Sequence, residues 1–531
     1  MTRRSVPEIA HHFWFVTYLL LALSTSIASW TVVAEEPARS LADSKSASAE
    51  RTSVELQLKA MFAQMPEAGK NGYEHLINNV YLPADFDREV ALKLAAKTFD
   101  ARAAANKSSE EDTSSERKGR RIRPSATATS QELAEAFWER FGLSGRPAIE
   151  TALTNNGLLK SESAEAADAS QLPPPLQYVV SQDGSYIMNC FACHGGKVDG
   201  VTYPGAPNNE YALQSLTEEV RATKIVLGKK LSHMDLGSAV MPLGTTRGSS
   251  NAVMFGVALM HFRDADLNVL DWKLGPKLTH HDMDPPPWWH FKKKHHIYID
   301  GFAEKGHRGL MQFMLVRQNG PDKFRGWENE FREVYEFISN IQAPVYPYHI
   351  DQELAVQGEK LFVEHCSSCH GTYGKDSQYP ELTIPLEEIG TDPVRFAALS
   401  VEHRAGYGAS WFGHYGEQKT IADTEGYVAP PLDGVWASAP YLHNGSVPTL
   451  WHLLNPSERP AIWHRTSRQL DREKMGLSVE GVKEIPEKIT AEQRREFFDT
   501  SVEGKSAKGH DFPDRLDSEG KKAVLEYLKT L

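Results

Sequence analysis

The chain has 531 residues and a formal net charge of −12, with 40% apolar and 24% charged residues. Those proportions fit an ordinary soluble chain of two or three domains. The acidic balance, with no long basic run, argues against nucleic acid as a partner, and only four cysteines are present, too few for a disulfide-rich scaffold.

The N-terminus reads as an export signal. Arg3 and Arg4 precede an apolar stretch from Phe13 to Leu23, interrupted by Thr17, and Val32-Val33-Ala34 supplies small residues for cleavage before Glu35. Residues 1–34 are therefore expected to be a signal peptide; the alternative is an uncleaved membrane anchor. Either way the body of the protein is expected outside the cytoplasm, periplasmic or secreted.

Residues 35–129 read as an N-terminal extension and polar linker. Residues 35–55 are Ala/Ser/Glu-rich and expected to be flexible. Leu56 to Ala104 has a helical pattern with a break at Leu82-Pro83, and 105–129 is too polar to bury much surface. Leu133, Phe137 and Phe141 recur every four residues, which predicts a helix with one buried face. Residues 161–170 form a second polar break.

Two further regions follow, at 130–345 and 346–531. In the first, Pro285 to Trp289 must be a turn or an extended segment. In the second, a helix over 352–364 sets Leu354, Gly358, Leu361 and Phe362 on one face. A closing helix over about 518–531 presents Val524, Leu528 and Leu531 with Tyr527 beside them. Gly358 is small enough for Tyr527 or Leu528 to cross closely over it.

Each region carries one Cys-x-x-Cys-His motif: Cys190-Phe191-Ala192-Cys193-His194 and Cys366-Ser367-Ser368-Cys369-His370. In such a run the two thiols bond the vinyl groups of a haem and the adjacent histidine ligates its iron. A redox disulfide or half of a zinc site also uses Cys-x-x-Cys. Neither requires histidine directly after the second cysteine, and the motifs consume every cysteine in the chain. The expected cofactors are two covalently bound haems c, with His194 and His370 as iron ligands. The expected fold is mainly α with extensive loops, comprising two cytochrome-c-like haem domains in one chain.

The second region follows the order helix, haem motif, ligand loop, closing helix. His510, in Lys508-Gly509-His510-Asp511-Phe512 just before the last helix, is the candidate sixth ligand for the His370 iron. Its competitor His443 lies in an Asn-Gly turn and reads preferentially as a residue beside the haem propionates or behind the ligands. The first region offers His233, Met241, Met254, Met260, His261 and His307, none with a clear claim; Met254 and Met260 also suit core packing. An iron left without a sixth ligand is open to O₂ or peroxide.

The segment Ala439–Leu450 (APYLHNGSVPTL), preceded by Pro430-Pro431-Leu432-Asp433-Gly434, resembles the di-haem cytochrome c peroxidase and methylamine-utilisation superfamily, most closely its rubber-oxygenase branch. Asn251–Gly256, Trp288 to Lys294, Met311–Phe313 and Gly509 to Lys529 add to the likeness, which covers roughly 170–531. The resemblance implies a catalytic first haem and a bis-histidine second haem that relays electrons. It also implies a tryptophan between them, for which Trp288 or Trp289 is the match, and a phenylalanine near the distal face, for which Phe313 and Phe302 are candidates. Peroxidases of the superfamily place a Met or Tyr ligand shortly after the His-x-Gly segment. Here Trp451 to Glu458 contains neither, which favours the oxygenase pattern.

The leading expectation is thus an exported di-haem oxidoreductase activating O₂ at the first haem, as a dioxygenase on an apolar organic substrate. The alternatives are a peroxidase reducing hydroperoxides and a non-catalytic electron carrier. Expected partners are O₂ or peroxide and a small electron-donor protein, with membrane contact only through a retained signal segment.

Overall fold

The computed structural model describes residues 41–111, 128–147, 172–271, 275–413 and 419–531. The signal segment at 1–34, residues 35–40, the middle of the polar linker and the break at 161–170 lie outside the described residues. Helix is the dominant element, at about 43% against 12% strand.

The first helix, Leu41–Gln64, begins well inside the stretch expected to be flexible. Val54, Leu58, Met61 and Phe62, with Met65 just beyond, lie on one face and are all but fully buried. Once that stripe is anchored, the Ala, Glu and Lys residues upstream are good enough helix formers to propagate the turn toward Leu41. The helix Glu67–Asn78 then packs on Glu328–Asn340. A Cβ at Gly72 would lie 2.1 Å from the Glu333 carbonyl oxygen, so the two backbones meet where only glycine fits. Tyr73 touches both Phe337 and Phe191, at ring distances of 5.4 and 5.7 Å, which ties this N-terminal segment to the first Cys-x-x-Cys-His motif.

The helical pattern breaks first at Met65-Pro66, which was not expected, and again after Asn78, four residues before the expected Leu82-Pro83. The chain returns as a short strand, Phe86–Asp87, paired with Ser185–Met188, and then as the helix Arg88–Glu111. The helix predicted from Leu133, Phe137 and Phe141 spans Ser130–Phe141. It opens on a Thr129–Glu132 capping box and closes on left-handed Gly142. Its buried face joins Val90, Leu94 and Tyr186 in a smaller core beside the main one.

In the last third, Gln352–His365 and Ser518–Leu528 cross at Gly358. A Cβ there would sit 1.9 Å from the Ala523 carbonyl oxygen and 2.9 Å from the Tyr527 Cβ. The crossing residues are therefore Ala523 and Tyr527, with Leu528 beside them in the core. A three-stranded antiparallel sheet, Ile462–Asp471 between Gly476–Gly481 and Phe497–Asp499, interrupts this region. It is pinned by the Trp463–Phe498 stack, with rings 5.1 Å apart and 2° from parallel. One hydrophobic cluster runs from Val54 through Phe191, Trp288 and Phe337 to Trp436 and Leu528, so both motifs abut the same core. Among the described residues no helix is long and apolar enough to cross a membrane.

Candidate functional site

Each Cys-x-x-Cys-His motif is a single helical turn. Phe191–His194 and Ser367–His370 are both four-residue helices, and the His194 and His370 amides donate to the Cys190 and Cys366 carbonyls at 3.2 and 3.0 Å. That turn brings both thiols and the histidine to one side, as attachment to a porphyrin edge requires. The four cysteines are unpaired thiols. Burial pushes Cys190 up to about 12 and Cys193 and Cys366 to about 11, as expected of neutral thiols in apolar surroundings.

The two histidines are oriented alike. His194 Nδ1 donates to the Pro286 carbonyl at 3.1 Å and His370 Nδ1 to the Pro430 carbonyl at 2.8 Å. A proline-rich segment (Pro285–Pro287, Pro430–Pro431) thus supplies the same backbone acceptor twice. Holding the proton on Nδ1 leaves the Nε2 lone pair for a metal. Burial lowers both histidines, His194 to about 4, which keeps the neutral, ligating form.

Opposite His370 stands His510, with ring centroids 6.1 Å apart. Two imidazole–metal bonds of about 2.0–2.1 Å plus the two half-rings span roughly 6 Å, so the gap admits one iron. The position is built by the backbone. His510 has φ of 54° and its amide donates to the Ile389 carbonyl at 2.7 Å. A Cβ at Gly509 would lie 2.2 Å from Gly390. Arg459 holds the loop from behind, donating to the Ala507 and Gly509 carbonyls at 2.6 and 2.8 Å. His510 Nδ1 is buried with no partner among the described residues, and burial brings its pKa down to about 3. His443 lies elsewhere, its ring against Tyr427 at 4.5 Å and its carbonyl accepting the Asp284 amide.

His194 has a different ring neighbour: Trp288, stacked at 4.8 Å and 24°. Trp289, the next residue, turns away and donates its indole N–H to the Asp433 carbonyl at 2.8 Å. His290 shares that acceptor at 2.9 Å, and Lys293 pairs with the Asp433 carboxylate at 2.8 Å. The segment holding Pro286 is thereby fastened to the segment holding Pro430, and Trp289 sits in the joint.

The other candidates scatter. Phe313 is 43% exposed, near Gly256 of the Ala252–His261 helix, whereas Phe302 is buried and stacked on Tyr298 at 4.5 Å. Met254 is fully buried in the core, Met241 ends a helix, and Met260 packs against the core from its edge. His307 contacts Glu328 at 3.3 Å, His261 packs edge-on against Phe262, and His233 follows the Ser232 cap of its helix. Sequence reasoning missed Pro286, Pro430 and Asp433 as partners. Their contributions are backbone carbonyls, or in Asp433 a carbonyl and a carboxylate, and the repeated proline run before each was the available signal.

Two cysteines and a histidine on one helical turn, with the histidine Nδ1 already bonded, form the arrangement that covalent attachment of a haem c requires. Residues 426–464 match the family model described as RoxA-like, cytochrome c-like, which implies covalent haem c. Two uncharacterized proteins of Sinorhizobium fredii are similar to this chain. One, y4iM, is 34% identical over 240 residues, covering 37% of this chain and 53% of its own length. The other, y4iJ, is 30% identical over 263 residues, covering 36% and 42%. The chain thus spans about half the length of these relatives. A more distant homologue, cytochrome-c peroxidase IdrP2 of Denitromonas iodatirespirans, is 25% identical over 309 residues, covering 55% of this chain and 74% of its own.

Proposed function

We propose that the protein is an exported di-haem c oxidoreductase in which the His194 centre activates O₂ on an apolar organic substrate and the His370–His510 centre relays electrons. The observation that carries this reading is the inequality of the two histidines. His370 faces a second imidazole at metal-bridging distance, while His194 has an indole as its ring neighbour. Bound at these turns, haem supplies one-electron redox chemistry and, where a coordination position is open, a place for O₂ or peroxide.

The chain's own part is positional. Pro286 and Pro430 fix the tautomer of each proximal histidine. The Gly509–His510 turn, clamped by Arg459, holds the second imidazole rigidly, which suits a centre that changes charge without changing shape. Trp289 and Asp433 join the proximal segments of the two centres and offer an electron a packed route between them. The homology to a cytochrome-c peroxidase supports a second reading, reduction of hydroperoxides at the same His194 centre.

Electron paramagnetic resonance of the haem-loaded protein tests the proposal. A signal for one low-spin bis-histidine haem is expected, with a second haem that changes on adding cyanide or peroxide. Two low-spin haems indifferent to both ligands would leave only an electron carrier. Product formation from an apolar substrate under O₂, abolished by strict anaerobiosis with peroxide absent, favours oxygenase over peroxidase.

A further inference from the structure

Beside the two centres lies a buried cluster of polar groups that the packing leaves unsatisfied. Arg395, on the short helix Val394–Ala398, is 1% exposed, yet its Nε and Nη1 have no hydrogen-bond partner among the described residues. His443 Nε2 and His281 Nε2 are buried and unpartnered as well. These groups converge. The Tyr427 hydroxyl takes the Phe396 amide, next to Arg395, at 3.1 Å, while its ring lies against His443 at 4.5 Å. A Cβ at Gly504 would touch His281 at 3.0 Å and Val394 at 3.7 Å, so His281 flanks the same short helix. His443 is pushed down to about 3, first by burial and then by the charges of Arg395 and His281.

Among the described residues Arg395 has no carboxylate at hydrogen-bonding distance. Asp300 is 1% exposed and receives Arg404 through Nε at 3.1 Å and Nη2 at 2.7 Å, while Arg395 Nη2 reaches its other oxygen only at 3.6 Å. One carboxylate therefore serves two buried guanidinium groups. Asp392 is nearby, but its oxygens accept the Val394 and Ser506 amides, both at 2.9 Å. A buried guanidinium with two idle donor nitrogens is costly unless an anion meets it. The planar fork of arginine matches a carboxylate.

We propose that Arg395, with His443 donating from Nε2, binds a haem propionate. Propionates are the carboxylates that a haem attached at these turns would bring to this depth. The inference rests on the reading that haem occupies both centres. The cluster adjoins the acceptor segments of both: Tyr427 is three residues before Pro430, the acceptor for His370, and the His443 carbonyl takes the amide of Asp284, two residues before Pro286. The carboxylate is therefore a propionate of the His370 haem or of the His194 haem, and the experiment separates the two.

Haem content of the full wild-type chain, measured as the pyridine haemochrome, tests the underlying reading first; fewer than two haems per chain overturns that reading and this inference with it. With two haems present, Arg395→Met, Arg395→Lys and His443→Gln are compared with wild type by spectroelectrochemical titration and by the propionate bending modes in resonance Raman. Losing a positive charge beside a propionate favours the ferric state. Arg395→Met is expected to lower the midpoint potential of one haem and shift its propionate mode, with Arg395→Lys restoring most of the potential. A shift in the low-spin, bis-histidine species assigns the propionate to the His370 haem, and a shift in the other species to the His194 haem. Unchanged potentials and propionate modes in folded Arg395→Met and His443→Gln proteins would overturn the proposal.

Discussion

His370 and His510, 140 residues apart in the chain, face each other with ring centroids 6.1 Å apart and planes inclined at 62°. Backbone groups orient both: His370 through the Pro430 carbonyl, His510 through its left-handed turn and the bond from its amide to Ile389, with Arg459 behind the loop. Neither ring depends on the other for its orientation, so the pair is preorganised for a metal between them. His510→Ala should leave both haems covalently attached but abolish the low-spin bis-histidine signal in electron paramagnetic resonance. His443→Ala should leave that signal in place. The reverse result would move the sixth ligand to His443.

Gly358 fixes how the two helices around the second motif cross. With the Ala523 carbonyl 1.9 Å from where a Cβ would be, Gly358→Ala must push the closing helix outward. Overpacking of this kind costs roughly 1–3 kcal/mol. The closing helix follows directly on the His510 loop, so the shift should also reach the His370–His510 spacing. Denaturant unfolding should report the loss of stability, and a broadened low-spin signal the disturbed ligation.

Much of this arrangement is local enough to be legible in the sequence. Cys-x-x-Cys-His needs only one helical turn, so both motifs declare themselves without tertiary context. Gly358 and Tyr527 could be matched because each lies on a helix with clear periodicity, and His510 because it precedes the closing helix. The acceptors Pro286, Pro430 and Ile389 were not legible, since any residue offers a carbonyl and only the fold decides which one meets a histidine. The sheet at 462–499 was missed for a related reason. Its long central strand is mixed in burial rather than cleanly alternating, so the two-residue period that marks a strand is weak. From Leu41 onward the stretch expected to be flexible is helical, because composition does not show the buried stripe from Val54 that anchors the helix.

Trp289 can be separated from its neighbour by substitution. Trp288 stacks on His194, so replacing it disturbs a proposed iron ligand directly. Trp289 touches the second segment through one indole N–H bond to Asp433, whose carbonyl keeps His290 as a donor. Trp289→Phe retains a ring and removes that bond. Electron exchange between the two haems, followed by flash photolysis of a half-reduced carbon monoxide adduct, should slow about tenfold, or about 1.4 kcal/mol of barrier. Static spectra of both haems should be unchanged. An unaltered exchange rate would mean that electrons pass by another route.

Acid sensitivity offers a test at a histidine outside both motifs. His452 is 6% exposed, and burial lowers its pKa to about 4 while its Nδ1 meets the Thr449 hydroxyl at 2.8 Å. In the unfolded chain the same histidine titrates near its ordinary value of about 6.5. Between those limits the unfolded state binds the extra proton, so folding stability falls as pH drops from about 6.5 to about 4. The full effect of this one group is at most about 3 kcal/mol at one pKa unit per 1.36 kcal/mol. His452→Gln keeps a group able to bond Thr449 but cannot titrate. Urea unfolding of wild type and variant across this range should show wild type losing stability relative to the variant as the pH falls, with a constant difference above about pH 7. A difference independent of pH throughout would mean that His452 is not held neutral by its surroundings.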